Sequence, residues 1–534
     1  MSGLTAKIVS SWLTETDERG LQVAFCHWLM SRGFRVIHST SHNAMEVGKD
    51  VVALGPDGTL NAYQLKAHRG THLGMSDFRA DVQPQLYDLS STAVVIPGIE
   101  PRMPDHVFVV ANSDFHEHVH REIDDRNRAS RGRWADIQII GRSQLLSDLV
   151  DLAEALLPDD VVASHAMLEL LLNDGRGEFP IEKFAPLLEM LATSLPSESG
   201  QSGRRRLYAK MAVVTEVAAG PWRKIGNHLG VFQAYGTCLM AASLGWSLHG
   251  KHDDDFESLD FIASAAVGSL ESILSECENA TVADIAHANE YDQVGLAKVM
   301  HFLGLASLCA LMCGAGNTDV DGHPYVGKCK KLIGKLGSNR YIWGEAAVPH
   351  ALCVGLFLER YATGSISNEY WTWCVRSVVD INSEGSNRSF HPWDRLEGDN
   401  ARYLLGIKKR ESPRVLDSYW TDPVIRVAVR LNLKSLVKSI WPMAVSQGIC
   451  RFLTTDEHGL YRLKNDSGMN TTIHRPLPVR WSQLVEEAKK STTQDCIYSR
   501  RPYWYLIAVF VYPHRVNADI LGALLPTYVG GVWH

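Results

Sequence analysis

The chain has 534 residues, of which 45% are hydrophobic and 21% charged, with a formal net charge of −7. That balance excludes a disordered chain and a strongly basic nucleic-acid coat, and the length implies about two to four domains. The longest apolar runs, around 302–314 and 503–512, are shorter than a bilayer span, and the opening MSGLTAKIVSSWLTETDERG lacks the layout of a secretion signal, so a cytoplasmic protein without a membrane partner is expected.

Ten cysteines are scattered without a CxxC pair, and Cys309 and Cys313 fall inside apolar helical stretches, which implies reduced, buried thiols. Residues 1–150 hold 15 Lys and Arg against 18 Asp and Glu, so any nucleic-acid contact must come from local patches rather than a basic domain.

In chain order, Leu21, Phe25, Trp28 and Leu29 recur at helical spacing and predict a helix over 17–32, closed by Gly33 before a strand over 34–38. Val51–Leu54 and the alternating Leu60–Lys66 flank Gly55-Pro56-Asp57-Gly58, a β-hairpin signature. A polar segment over 71–90 turns helical towards its end and the apolar 93–97 follows it. Next come a strand at 106–111, a basic helix over about 115–130, a short strand at 137–140 and an amphipathic helix over 143–157. The order implies an α/β domain, a mixed sheet flanked by helices.

Beyond Pro158 strand signals nearly vanish. Residues 158–206 are read as a helical connector ending in the flexible linker SLPSESGQSGRRR, 207–445 as a helical regulatory or recognition domain with a buried central helix near 295–314, and 446–534 as a small α+β segment. In the last, YWYLIAVFVY at 503–512 has the length of a buried strand.

Pairing across the hairpin brings its open ends together. Asp50, opening the first strand, then lies beside Gln64 and Lys66, which share one face of the second, while Leu65 takes the other. An isolated surface ion pair would be the plain alternative.

With its flanks this arrangement resembles the PD-(D/E)XK nuclease superfamily, and within it the Mrr-type restriction endonuclease branch, whose D…QxK pattern is matched by Asp50, Gln64 and Lys66. Gly33-Phe34 after the first helix, Gly48-Lys49-Asp50 before a strand and Gln64-Leu65-Lys66 closing the next carry the likeness, which covers residues 10–157. It implies a restriction-endonuclease-like domain over 1–157 that hydrolyses DNA. The branch's first-helix acid corresponds by spacing to Gln22, with Glu18 one turn earlier, and Glu46 is a further acid close to Asp50.

Phosphodiester hydrolysis needs the phosphoryl charge neutralised and a nucleophile made from water, which Mg²⁺ or Mn²⁺ does when held by oxygen ligands. Asp50 supplies the anionic ligand, Gln64 a neutral amide oxygen and Leu65 its carbonyl, while Lys66 orients water or steadies the transition state. Lys49, His68, Arg69, Arg126, Arg128, Arg131 and Arg133 are the candidate phosphate contacts, the arginines reading equally as a solvated helix end.

Elsewhere, His249-Gly250-Lys251-His252-Asp253-Asp254-Asp255 has metal-ligand residue types without zinc spacing and reads as a solvated loop. His116, His118 and His120 alternate, and a helix spreads them apart. Lys328, Lys330, Lys331 and Lys335, and Lys408-Lys409-Arg410, read as solvated helix faces, or else as grips for nucleic acid or an acidic partner. No phosphate-binding loop of an ATP motor is present. The resemblance thus implies a metal-dependent DNA endonuclease, of the kind that serves bacterial defence against phage or foreign DNA. Its helical region is expected to regulate it or select targets, and self-association or a protein partner through that region is a separate expectation. An RNA-cutting relative, a silent nucleic-acid- or protein-binding subunit, and a helical scaffold with a vestigial first domain stand beside the DNA endonuclease.

Overall fold

A computed structural model describes residues 2–39, 50–68, 70–96, 99–158, 160–194, 200–286, 293–314, 323–337, 341–362, 364–381, 418–446, 449–454, 458–463, 468–473, 479–489, 496–513, 516–524, 528–529 and 532–533. The chain divides into two compact units, Met1–Gly268 and Ser269–His534. The first unit runs on past residue 157, with the helix Gln201–Lys224 packed on the helices Glu18–Ser31 and Arg142–Leu152.

The first unit opens with α1 (Ser2–Glu15) and α2 (Glu18–Ser31), the latter capped by Asp17, whose carboxylate accepts the Gly20 N–H at 2.8 Å. β1 (Arg35–Ser39), β2 (Val51–Leu54) and β3 (Leu60–Lys66) follow, then β4 (His72–Leu73) and α3 (Met75–Asp77), which continues through a π-turn into α4 (Gln83–Ser91). After these come β5 (His106–Ala111), β6 (Asp114–Phe115), α5 (Glu117–Ser130), β7 (Asp136–Ile140) and α6 (Arg142–Leu152). The helices α7 (Val161–Leu171), α8 (Ile181–Thr193), α9 (Gln201–Lys224), α10 (His228–Leu248) and α11 (Phe256–Glu276), the last crossing the boundary, complete the layer.

Five strands form one sheet in the order β1-β2-β3-β5-β7. β1, β2 and β3 are antiparallel neighbours, whereas β3, β5 and β7 run parallel, with Asn61 beside His106 and His106 beside Asp136 at one end, and Lys66 beside Ala111 and Val110 beside Ile140 at the other. The β2–β3 turn closes the first end: Gly58 donates to the Gly55 carbonyl at 2.9 Å and takes φ +83°, a left-handed geometry that glycine adopts without a Cβ penalty. One face of the sheet packs Ala62, Val107, Val109 and Ile137 on Phe78, Val82, Leu86 and Leu89 and on Val119 and Ile123 of α5. On the other, Phe25 of α2 meets Tyr63, which stacks on Phe108 at 4.8 Å. Each such large apolar side chain contributes about 1.5–3 kcal/mol through burial.

Three expectations are corrected. Residues 201–206 are the first turns of α9 rather than linker, because Arg204 pairs with the buried Asp255 at 3.0 Å and Arg206 with Asp151 at 2.8 Å. The segment 503–512 forms a helix over Trp504–Val511, since a uniformly apolar run carries no period to separate buried strand from buried helix. The HGKHDDD loop is partly internal: His249 and Asp255 are buried, the first meeting the Ala192 carbonyl at 2.9 Å and the second accepting from the Tyr208 hydroxyl at 3.1 Å. Lys408, Lys409 and Arg410 lie outside the described residues.

The second unit is mainly helical. It holds α12 (Val282–Ala286), α13 (Gln293–Gly314), α14 (Pro324–Leu336), α15 (Val348–Tyr361) and α16 (Gly364–Ile381), and an antiparallel strand pair, Ile449–Thr454 with Gly468–Ile473. The apolar stretch expected to fall short of a bilayer span is longer in the helix. Within α13, Gly295–Gly314 is long and apolar enough to cross a membrane, because Lys298 and His301 interrupt the run without ending the helix, and 67% of it is buried in the fold. On α14, Lys328 pairs with Glu278 at 3.1 Å and Lys335 donates to the Asn279 carbonyl at 3.0 Å. The nine described cysteines are free thiols.

Candidate active site

Because β2 and β3 are antiparallel with Val51 opposite Tyr63, Asp50 falls opposite Gln64, at the end of the sheet where β3, β5 and β7 finish. Asp50 is only 8% exposed. Its Oδ2 accepts the Leu65 main-chain N–H at 2.7 Å and the Gln64 side-chain amide. Two N–H donors thus hold the anion in place of water, the arrangement a buried carboxylate requires.

Gln64 is buried as well, and its Oε1 has no hydrogen-bond partner among the described residues. Lys66, the next residue on that face, is partly exposed, and its Nζ lies 3.8 Å from Glu18 Oε1. Gln22, one turn along α2, donates from Nε2 to the Asp50 carbonyl at 3.3 Å. So α2 touches the site twice, through Glu18 and Gln22. Glu46, Lys49 and Arg69 lie outside the described residues.

Past Lys66 the chain is fastened to the ends of the parallel strands. The His68 N–H donates to Asn112 Oδ1 at 2.7 Å, and His68 Nε2 stands 3.5 Å from Asp77. Asn112 also donates to the Leu13 carbonyl at 3.0 Å, and Arg142 reaches the Asn112 carbonyl at 3.1 Å and the Ser10 carbonyl at 2.6 Å. Asn112 and Arg142, which tie α1 to this end of the sheet, escape the sequence reading. The signal was their position just after strands that run parallel to β3, where α/β sheets gather their functional groups.

The arginines are placed elsewhere. α5 returns from the Lys66 end of the sheet to the start of β7, so Arg126, Arg128, Arg131 and Arg133 lie towards the hairpin-turn end, about 16 Å of strand away. Arg126 is wedged 4.6 Å from the Tyr87 ring and 4.1 Å from the Trp134 ring and bonds Ser90 Oγ at 2.9 Å, and burial lowers its pKa. Arg128 pairs with Asp125 at 3.4 Å, while Arg131 and Arg133 are exposed. Of the proposed phosphate contacts, His68 is the described one that adjoins Lys66. His116 and His118 do not spread apart as a helix interior would have them: His116 precedes α5, and their rings stack at 6.0 Å.

The oxygens available at the site are the Asp50 carboxylate and the Gln64 Oε1, whose amide nitrogen faces Asp50, both hard donors. Among the described residues no group of three His, Cys, Asp or Glu gathers as a metal cluster. The partnerless, buried Gln64 Oε1 beside a carboxylate nonetheless fits a hard divalent cation held by few charges. Comparison with protein-family models, curated proteins and solved structures gives no match for this chain.

Proposed function

We propose that the first unit is a metal-dependent endonuclease domain of the PD-(D/E)XK type, in its D…QxK form, acting on DNA in defence of a bacterial cell. The observation that carries this reading is the meeting of Asp50, Gln64 and Lys66 at the strand ends, with Gln64 Oε1 buried and lacking a partner among the described residues. Asp50, Gln64 and the Leu65 carbonyl would hold Mg²⁺ or Mn²⁺. When bound, such an ion supplies neutralisation of phosphoryl charge and a more acidic water.

The chain's own contributions follow from geometry. The Leu65 N–H and the Gln64 amide fix the Asp50 carboxylate before anything binds, so no reorganisation is needed at the moment of reaction. Lys66, steered by Glu18, presents a compact ammonium where charge develops on a phosphoryl oxygen. His68, whose main-chain N–H is held by Asn112 and whose ring faces Asp77, would contact the phosphate backbone next to Lys66.

The test is cleavage of supercoiled plasmid in Mg²⁺, Mn²⁺ or EDTA by wild type and Lys66→Ala, with single-stranded DNA and RNA as parallel substrates. Metal-dependent nicking lost in the variant upholds the reading, RNA cleavage alone moves the substrate class, and equal degradation by both proteins overturns the site. Gln64 in place of a second acid favours one other reading, a silent domain that binds nucleic acid as a subunit of a larger complex. That reading predicts DNA retention without cleavage in either metal.

A further inference from the structure

Helix α2 has two opposite faces. Glu18 and Gln22, one turn apart, reach Lys66 and the Asp50 carbonyl. Gly20, between them in sequence, points the other way into α9: a Cβ there would lie 2.5 Å from Glu216 Oε1 and 3.2 Å from Arg223 Cδ. His27, two turns beyond Gly20 on the same side, packs its ring on Phe261 of α11.

Glu216 is fully buried. Its carboxylate meets Arg223 at 2.6 Å through Nε and 2.8 Å through Nη2, and it accepts the Tyr235 hydroxyl of α10. Lys224 adds an outer pair to Glu15 at 3.1 Å. Both partners of the Glu216–Arg223 pair lie on α9, seven residues apart, so it bridges no helices. It fixes the surface of α9 on which Gly20 closes, where a side chain larger than hydrogen meets Glu216 and Arg223.

We propose that Glu216 is a positioning residue: by seating Gly20 against its pair with Arg223, it fixes the register of α2 and so the placement of Glu18 beside Lys66 and of Gln22 on Asp50. Control of the site is thereby lodged in α9, outside residues 10–157. The inference rests on the nuclease reading for its functional meaning, but the mechanical link has its own readout. That readout is the Leu65 amide, which donates to Asp50 and reports the site with or without metal.

The experiment is residue-resolved hydrogen exchange on the full chain, comparing wild type with Glu216→Gln. Exchange at Leu65 is expected to rise at least tenfold while Val109 and Ile139, in β5 and β7, keep their wild-type rates. Gln22→Ala raises Leu65 exchange too, and the double variant shows no more than the larger single effect, because both act through α2. Unchanged Leu65 exchange, a rise shared equally by Val109 and Ile139, or additive effects in the double variant overturns the brace. Should Glu216→Gln not fold, Tyr235→Phe, which removes one donor to Glu216 and keeps the ring, is read in the same way. Mn²⁺ binding measured in parallel, with Asp50→Asn as the blank, tests the nuclease site separately.

Discussion

Leu65 donates its main-chain N–H to the Asp50 carboxylate at 2.7 Å, so the acid is held by the backbone of the strand that carries Gln64 and Lys66. Asp50→Asn keeps the size of the side chain and removes its charge. The expected result is a loss of metal-dependent cleavage of roughly 100-fold or more, with thermal stability changed by only a few degrees. Plasmid nicking beside a melting curve checks both halves.

Gln64→Glu places a second carboxylate against Asp50 in a buried position and removes the amide donor. In EDTA the variant loses about 2–3 kcal/mol of stability, because two adjacent anions there are neither solvated nor paired. In Mn²⁺ it regains that stability and binds the ion roughly tenfold more tightly than wild type. Melting in EDTA and in Mn²⁺, with calorimetric titration, would refute this if the variant melted alike in both.

Arg126 sits between two rings, far along the sheet from Lys66. Arg126→Lys should cost about 1–2 kcal/mol of stability through the lost ring contacts. Affinity for DNA should stay at the wild-type value. A fall in affinity with stability intact would return the arginine to the binding face.

His27 is 1% exposed, and neither ring nitrogen has a hydrogen-bond partner among the described residues. Burial pushes its pKa from 6.5 down to about 3, so the folded protein keeps the ring neutral while the unfolded chain takes up a proton below 6.5. The stability this neutral ring permits is complete above 6.5 and is lost as pH falls from 6.5 towards 3, at about 1.4 kcal/mol per unit. His27→Leu removes that share of the slope. Denaturant unfolding of both proteins at pH 7.5 and 5.5 measures it, and parallel slopes would sink the assignment.

The elements around the hairpin were legible because period-2 alternation, a glycine-rich turn and a capped amphipathic helix point to one answer. Asp50, Gln64 and Lys66 could be brought together on paper from pairing rules alone. Less legible were features set by distant residues. The start of α9 looks like a linker until Asp255 and Asp151 are there to pair with Arg204 and Arg206. The place of Arg126–Arg133 depends on the parallel run of β3, β5 and β7, which local composition does not encode. α1 passed unread as structure, although Val9, Trp12 and Leu13 on it are buried.

The β2–β3 turn sits at the end of the sheet opposite Lys66, with Pro56, Asp57 and Gly58 exposed. Lengthening such a turn adds little closure entropy, since that cost grows only with the logarithm of loop length. The molecule therefore carries a natural attachment point: a peptide tag or dye inserted after Pro56 would ride on the far edge of the sheet, reporting on the first unit while leaving the strand ends that hold Asp50 and Lys66 clear.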